Sequence, residues 1–294
     1  MYELKRVPED FKVIEKSKVK IKESGNYLYF KLWKKKYNTV DAIKRIASGL
    51  HINSKKIGYA GNKDRHAITE QICSVRDISE KKLNDISLNK DIQIKIIGRG
   101  DVPISLGFLE GNYFIINIYT NEEPVLKNEF INYFGEQRFG MNNIAIGRAI
   151  IKNDLNSLRC ILNTDDPIKK LSSENKKISR FYIHAYQSYI WNLTVENLLE
   201  KNIRVDKVPL IGFGTEIIDL RVKKIITEIM KTEGITFRDF IIRKIPDLSS
   251  EGDERDMYVK AQDVELLKKD GYFTIKFFLE KGCYATTFIK QLFK

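Results

Sequence analysis

The chain has 294 residues, 43% of them apolar and 11% aromatic. That is long enough for one large packed domain or two, and it excludes a disordered chain. Lysine and arginine number 51 against 39 aspartates and glutamates, a formal net charge of +12, which favours polyanions but also suits a lysine-rich solvated surface. No apolar run approaches the roughly 20 residues that span a bilayer, and the N-terminal "MYELKRVPEDFK" has no signal-peptide core. Three scattered cysteines and three scattered histidines offer neither a disulfide framework nor zinc spacing. The expectation is a cytoplasmic protein with no metal and no membrane association.

In chain order, "FKVIEKSKVKIK" (11–22) alternates Lys16, Lys18, Lys20 and Lys22 with smaller residues, so a strand is predicted with the four lysines on one face. A lysine-protected edge explains that pattern more simply than a phosphate track. "NYLYFKLW" is a second strand, ending in Lys34, Lys35 and Lys36. "TVDAIKRIASGL" carries Val40, Ile43, Ile46, Ala47 and Leu50 at helical spacing, with Thr39 as its N-cap. "KIGYAG" is a short strand entering a tight turn, and "AITEQICSV", "IQIKIIG" and "NYFIINIY" are further strands. "ISEKKLNDI" and "NEEPVLKNEFINYF" are predicted as helices, the latter with acids in its first turn. This order lacks a regular βαβ rhythm and predicts an α+β fold with a mixed or largely antiparallel sheet.

From about residue 143 the signal turns helical, through "NIAIGRAIIKNDLNSLRCIL", "DPIKKL" and "SRFYIHAYQSYIWNLTVENLLEK". Strands return with "DMYVKAQ" and "YFTIKFFLE", and "YATTFIKQLF" closes the chain as a helix. The order sheet, helices, sheet predicts a discontinuous domain, 1–142 with 250–294, that carries 143–249 as a mostly helical insertion.

Three stretches are candidates for chemistry. In "GYAGNKDRHAITEQ" (58–71), glycines permit a tight turn and Asp64 stands between Lys63 and Arg65. Neighbouring positive charge favours the ionised carboxylate, which can act as nucleophile or base; a solvated turn is the plainer alternative. In "GNYFII", Asn112 and Phe114 lie two apart on a strand and face the same way. An amide beside a ring is a nucleobase pocket in miniature, although a core phenylalanine and a turn asparagine would read identically. "NYFGEQRFG" (132–140) gathers rings, glycines and Arg138 at the sheet-to-helix junction, as a structural hinge or an RNA contact.

Taken together, "PEDFKVIE", "GYAGNKDRHAITEQ", "LGFLEGNYFII", "NYFGEQRFG", "FYIHAYQSYIWN", "EGDER" and "KGCYATTFIKQLF" resemble the TruD-type tRNA pseudouridine synthases, in that family's order and across nearly the whole chain. The resemblance implies the pseudouridine synthase fold, a mixed, mainly antiparallel sheet flanked by helices, with a TRUD domain inserted. It implies isomerisation of uridine to pseudouridine in tRNA, typically at uridine 13, with no cofactor and no metal. Asp64 matches the family's essential aspartate, and Lys5 matches the lysine assigned to pair with it, with Lys63 and Arg65 as local alternatives. Asn112 matches an asparagine lining the pocket, and Phe114 the ring that stacks on the target uracil. Lys63, Arg65 and Arg138 are candidates for RNA binding. The expected partner is tRNA alone, the protein acting as a monomer. Relatives are longer, which implies a reduced insertion here. A non-catalytic RNA-binding protein on the same fold is the competing reading. A hydrolase built on Asp64 lacks a second well-placed acid.

Overall fold

The computed structural model describes residues 2–293. Two compact units are present, and each contains segments distant in sequence.

The first unit runs to Asn128 and resumes with Lys260–Ala285 and the residues from Ile289. Its first part holds β1 (Glu3–Leu4), β2 (Phe11–Ser17), β3 (Tyr27–Lys35), α1 (Thr39–Leu50), β4 (Ile57–Tyr59), β5 (Ile68–Arg76), α2 (Glu80–Asn84), β6 (Ile92–Gly100) and β7 (Leu109–Tyr119). The second unit, Glu129–Val259 with Thr286–Phe288, contains β8 (Glu129–Ile131), α3 (Glu136–Phe139), α4 (Asn143–Ile151), α5 (Leu155–Leu162), α6 (Pro167–Ser173), α7 (Lys176–Glu200), β9 (Lys207–Leu210), α8 (Leu220–Glu233), β10 (Asp253–Asp256) and most of β11 (Tyr258–Lys260). The chain ends with β12 (Gln262–Lys269), β13 (Tyr272–Glu280) and α9 (Ala285–Gln291). The units thus divide near 128 and 260, whereas sequence pattern had put the divisions near 142 and 250. The intervening residues form β8, which pairs with β11, and β10, which pairs with β9; short strands of this kind leave little periodic signal.

Nine strands build the main sheet of the first unit, in the order β12-β13-β7-β2-β5-β3-β6, with β1 on β7 and β4 on β5. Among the described residues only β2 and β5 run parallel in this sheet; the other pairs are antiparallel. This is the mixed, mainly antiparallel α+β sheet expected from the sequence.

Register decides what the sheet presents. Residues directly opposite each other share a face. Glu15 faces Asn112, Val13 faces Phe114, and Phe277 faces Phe114. Across the centre, Val13 pairs with Thr69, Lys34 with Thr69, Leu32 with Gln71 and Phe30 with Cys73. One face therefore carries an apolar half at Leu28, Phe30 and Leu32 and a polar half at Lys34, Glu15 and Asn112. Helix α1 covers the apolar half with Ala42, Ile43, Ile46, Ala47 and Leu50, the i, i+3, i+4 stripe of an amphipathic helix.

Three local expectations need correction. Strand β2 stops at Ser17, so the four alternating lysines do not share a strand face. Lys16 pairs with Glu110 and Lys22 with Asp101 instead. "NEEPVLKNEFINYF" forms no helix: Val125 donates to the Leu292 carbonyl, and Glu129–Ile131 is strand. Tertiary hydrogen bonds have overridden local helical pattern there. The N-cap of α1 is Asn38, whose side chain accepts from the Asp41 amide, while Thr39 is the first helical residue and is fully buried.

Candidate active site

The turn that holds Asp64 follows β4 and precedes β5. Gly58, within β4, lets the Ile104 backbone approach that strand: a Cβ there would lie 2.2 Å from the Ile104 carbonyl oxygen. Gly61 is not required on that ground, since a Cβ would meet nothing nearer than the Lys63 ammonium at 4.0 Å. Strand β1 pairs with the Ile118–Tyr119 end of β7 and so delivers Lys5 to the same place. The Lys5 ammonium donates to an Asp64 carboxylate oxygen at 2.7 Å. It also sits 4.1 Å from the centroid of the Phe11 ring, a cation–π contact. Lys5 adopts the left-handed backbone, φ 59°, which a non-glycine residue holds only where surrounding contacts impose it.

The floor beneath Asp64 is polar and buried. The Lys63 amide donates to the Thr39 hydroxyl at 2.8 Å, and Thr39 donates to Gln71 at 3.0 Å. Gln71 in turn donates to the Gly61 carbonyl at 3.2 Å. Thus α1 and β5 grip the turn from two sides.

Lys63 does not face outward, as an RNA-binding candidate would. Its side chain turns into the protein, 7% exposed, and its ammonium lies 2.8 Å from the Glu15 carboxylate and 2.8 Å from the Asn112 side-chain oxygen. An ammonium offers only donors, so the Asn112 oxygen must point at Lys63, and its amide NH2 is the group left to meet a ligand. Glu15 and Lys34 are the residues that sequence reasoning missed. Both fall on the inward parity of their strands, after Phe11 and Val13 in one case and Leu28, Phe30 and Leu32 in the other. Extending the period of two by one step would have placed them inside.

Phe114 is 8% exposed. Its ring stacks on Phe277 at 5.3 Å between centroids and meets the edge of Phe11 at 6.2 Å. Phe277 completes an aromatic wall that the sequence alone did not assign.

Arg65 is exposed and donates from Nε to the Lys36 carbonyl at 3.3 Å. With Lys36, Lys44 and Arg45 it lines an open cavity of about 570 Å³, which Tyr37, Asp41 and Asp91 complete. Four cations against two acids give this cavity a net positive lining. Arg138 belongs to the second unit. Its guanidinium lies 4.9 Å from the Phe181 ring centroid and 5.8 Å from that of Phe134, and its Nε donates to the Ser188 hydroxyl at 3.2 Å. Those contacts anchor α3 on α7. Among the described residues, no group of three or more His, Cys, Asp or Glu side chains is disposed to hold a metal, and no helix is long and apolar enough to cross a membrane.

Residues 2–165 and 207–292 match the family model of tRNA pseudouridine synthase D (TruD). The chain belongs to the TruD family. Both matched segments include the site: the first carries Lys5, Asp64, Asn112 and Phe114, the second Phe277. "FYIHAYQSYIWN" lies outside the matched residues, so that helix is the part of the TruD resemblance the family model does not cover. The "Probable tRNA pseudouridine synthase D" of Nanoarchaeum equitans is 29% identical over 378 aligned residues, covering 99% of this chain and 98% of the relative. The tRNA pseudouridine synthase D of Aquifex aeolicus is 27% identical over 376, covering 99% and 97%. These TruD alignments are longer than the chain itself and therefore set gaps here against insertions in the relatives. A Methanosarcina mazei crystal structure assigned to TruD superposes with a TM-score of 0.77 at 22% identity, over 99% of this chain and 93% of that one. It shows that the fold is shared.

Proposed function

We propose that the protein is a tRNA pseudouridine synthase that acts on uridine 13, with Asp64 as its catalytic carboxylate. The observation that carries this reading is the Lys5–Asp64 pair at 2.7 Å in a TruD-family chain. An ion pair favours the charged form of the acid, and the reaction needs an ionised carboxylate.

In the reaction the N1–C1′ glycosidic bond of the uridine breaks. The uracil turns while bound, C5 bonds to C1′, and the proton on C5 leaves, N1 taking one up. Asp64 either attacks C1′ or removes a proton from C2′; both routes use its negative charge. The target base must leave its stack first. Phe114, backed by Phe277, is the ring wall against which the uracil stacks, and the Asn112 amide hydrogen-bonds its edge. The cavity at Arg65 takes RNA phosphates, for which its cationic lining is suited. Lys63 supports the site from within through Asn112 and Glu15. The second unit corresponds to the TRUD domain and supplies further RNA contact. The enzyme works in the cytoplasm as a monomer, with no cofactor.

The test is release of tritium from tRNA labelled at uridine C5, wild type against Asp64→Ala. Release by the wild type that is absent in the variant supports the reading. A folded, tRNA-binding wild type that releases no tritium from any tRNA would leave a non-catalytic binder. Appearance of free uracil would instead point to a hydrolase.

A further inference from the structure

Lys34 has no exposed surface. It ends the inward row of β3, where the pattern calls for another apolar side chain. Its ammonium donates to three backbone carbonyls: Tyr37 at 2.6 Å, Asp64 at 3.0 Å and Lys63 at 3.3 Å. None of these partners is a carboxylate. Burying a charge with no carboxylate bonded to it is costly, and methionine or leucine would fill a similar volume without that cost.

The choice of acceptors is the informative point. The Lys63 carbonyl belongs to the peptide before the Asp64 Cα, and the Asp64 carbonyl to the peptide after it. Holding both fixes the two soft dihedrals of Asp64 and hence the direction of its Cα–Cβ bond. The peptide before Lys63 is held as well, because the Lys63 amide donates to Thr39. The third acceptor, Tyr37, lies in the turn that leads into α1, so the clamp ties the Asp64 turn to the β3–α1 corner. One tetrahedral ammonium supplies the three donors from a single point. A neutral amine has two, and no apolar side chain has any.

We propose that Lys34 is a positioning residue that aims the Asp64 carboxylate by clamping the two peptide groups flanking its Cα. The proposal rests on the reading of Asp64 as the catalytic group. Lys34 touches no substrate; it acts through the backbone that carries Asp64.

The experiment compares the full chain with Lys34→Met, and with Lys34→Gln should the methionine variant fail to fold. Hydrogen exchange is followed by mass spectrometry for peptides covering 60–67, 27–33 and 68–76. Single-turnover kinetics are run on unmodified tRNA over a range of enzyme concentrations. The clamp predicts exchange in 60–67 faster by about tenfold or more with the two strands unchanged, a local opening. It predicts a saturating rate lower by roughly 100-fold, the scale of a small misplacement of reacting atoms. The tRNA dissociation constant should stay within about threefold of wild type, because ground-state binding is untouched. Unchanged exchange in 60–67 overturns the proposal. So does faster exchange spread evenly over the sheet, which marks a merely structural lysine, or a saturating rate equal to wild type. A wild type inert on every tRNA overturns the proposed function and the catalytic half of this inference; the exchange comparison then decides the clamp by itself.

Discussion

Lys5 and Asp64 are 59 residues apart in sequence, and their side chains meet at 2.7 Å. The pair is partly open to solvent, at 22% and 34% side-chain exposure. A solvated pair of this kind contributes at most about 1 kcal/mol to stability, so its value lies in orienting the acid. Asp64→Asn should abolish tritium release. Lys5→Met should lower the saturating rate roughly 100-fold through lost orientation. Both variants should unfold in urea close to wild type, a comparison that separates lost chemistry from lost fold.

Lys63 and Arg65 flank Asp64 but should behave oppositely. The Lys63–Glu15 pair is buried, and removing one partner of a buried pair costs about 3–5 kcal/mol. Glu15→Ala should therefore destabilise the chain on that scale, as read by urea denaturation. Lys63→Ala should leave the salt dependence of tRNA binding unaltered. Arg65→Ala should reduce the slope of log affinity against log salt by about one, the change expected for one lost phosphate contact.

Phe114 is a test of two roles at once. Truncation to alanine removes its packing on Phe277 and Phe11, and a buried Phe→Ala change costs about 3–5 kcal/mol. Phe114→Leu keeps most of the volume and loses the ring face. The leucine variant should stay folded and lose turnover equivalent to roughly 1–3 kcal/mol, the worth of one stacked base. Full activity in that variant would remove Phe114 from the pocket.

Burial pushes the Lys34 ammonium down to about 8, with the Asp64 charge opposing the shift and the Lys63 charge adding to it. Below pH 8 the native chain carries the full cost of the buried cation. Between pH 8 and the ordinary value of 10.5 the unfolded chain holds the proton and the native chain does not, so stability from this group rises with pH. Relative to Lys34→Met, wild type should gain about 3 kcal/mol over that range in urea denaturation. Turnover should move the other way: the wild-type rate falls as the clamp loses its proton, and the variant shows no such fall. A flat stability difference would mean that Lys34 does not titrate there.

Local pattern in the sequence was enough for most of the framework. The strand-like runs of β3, β5, β7 and β13 and the 3.6-residue stripe of α1 follow from the burial of their apolar side chains. The "GYAGNKDRH" turn marked Asp64 through its glycines and flanking charge. Pattern failed where partners from elsewhere in the chain decide the outcome. The segment before β8 bonds to residues near the C-terminus instead of to itself, and Lys22, beyond the end of β2, takes Asp101 as its acidic partner. The site was decided the same way. No spacing in the sequence says that Lys63 points inward while Arg65 points out, that Phe277 backs Phe114, or that Thr39 holds the Lys63 amide rather than capping its own helix. A buried charge is stable only where segments distant in sequence together supply its partners. The sequence could specify Asp64 and the strands around it, but only the assembled sheet could bring Lys5, Lys34, Glu15 and Asn112 to that one turn.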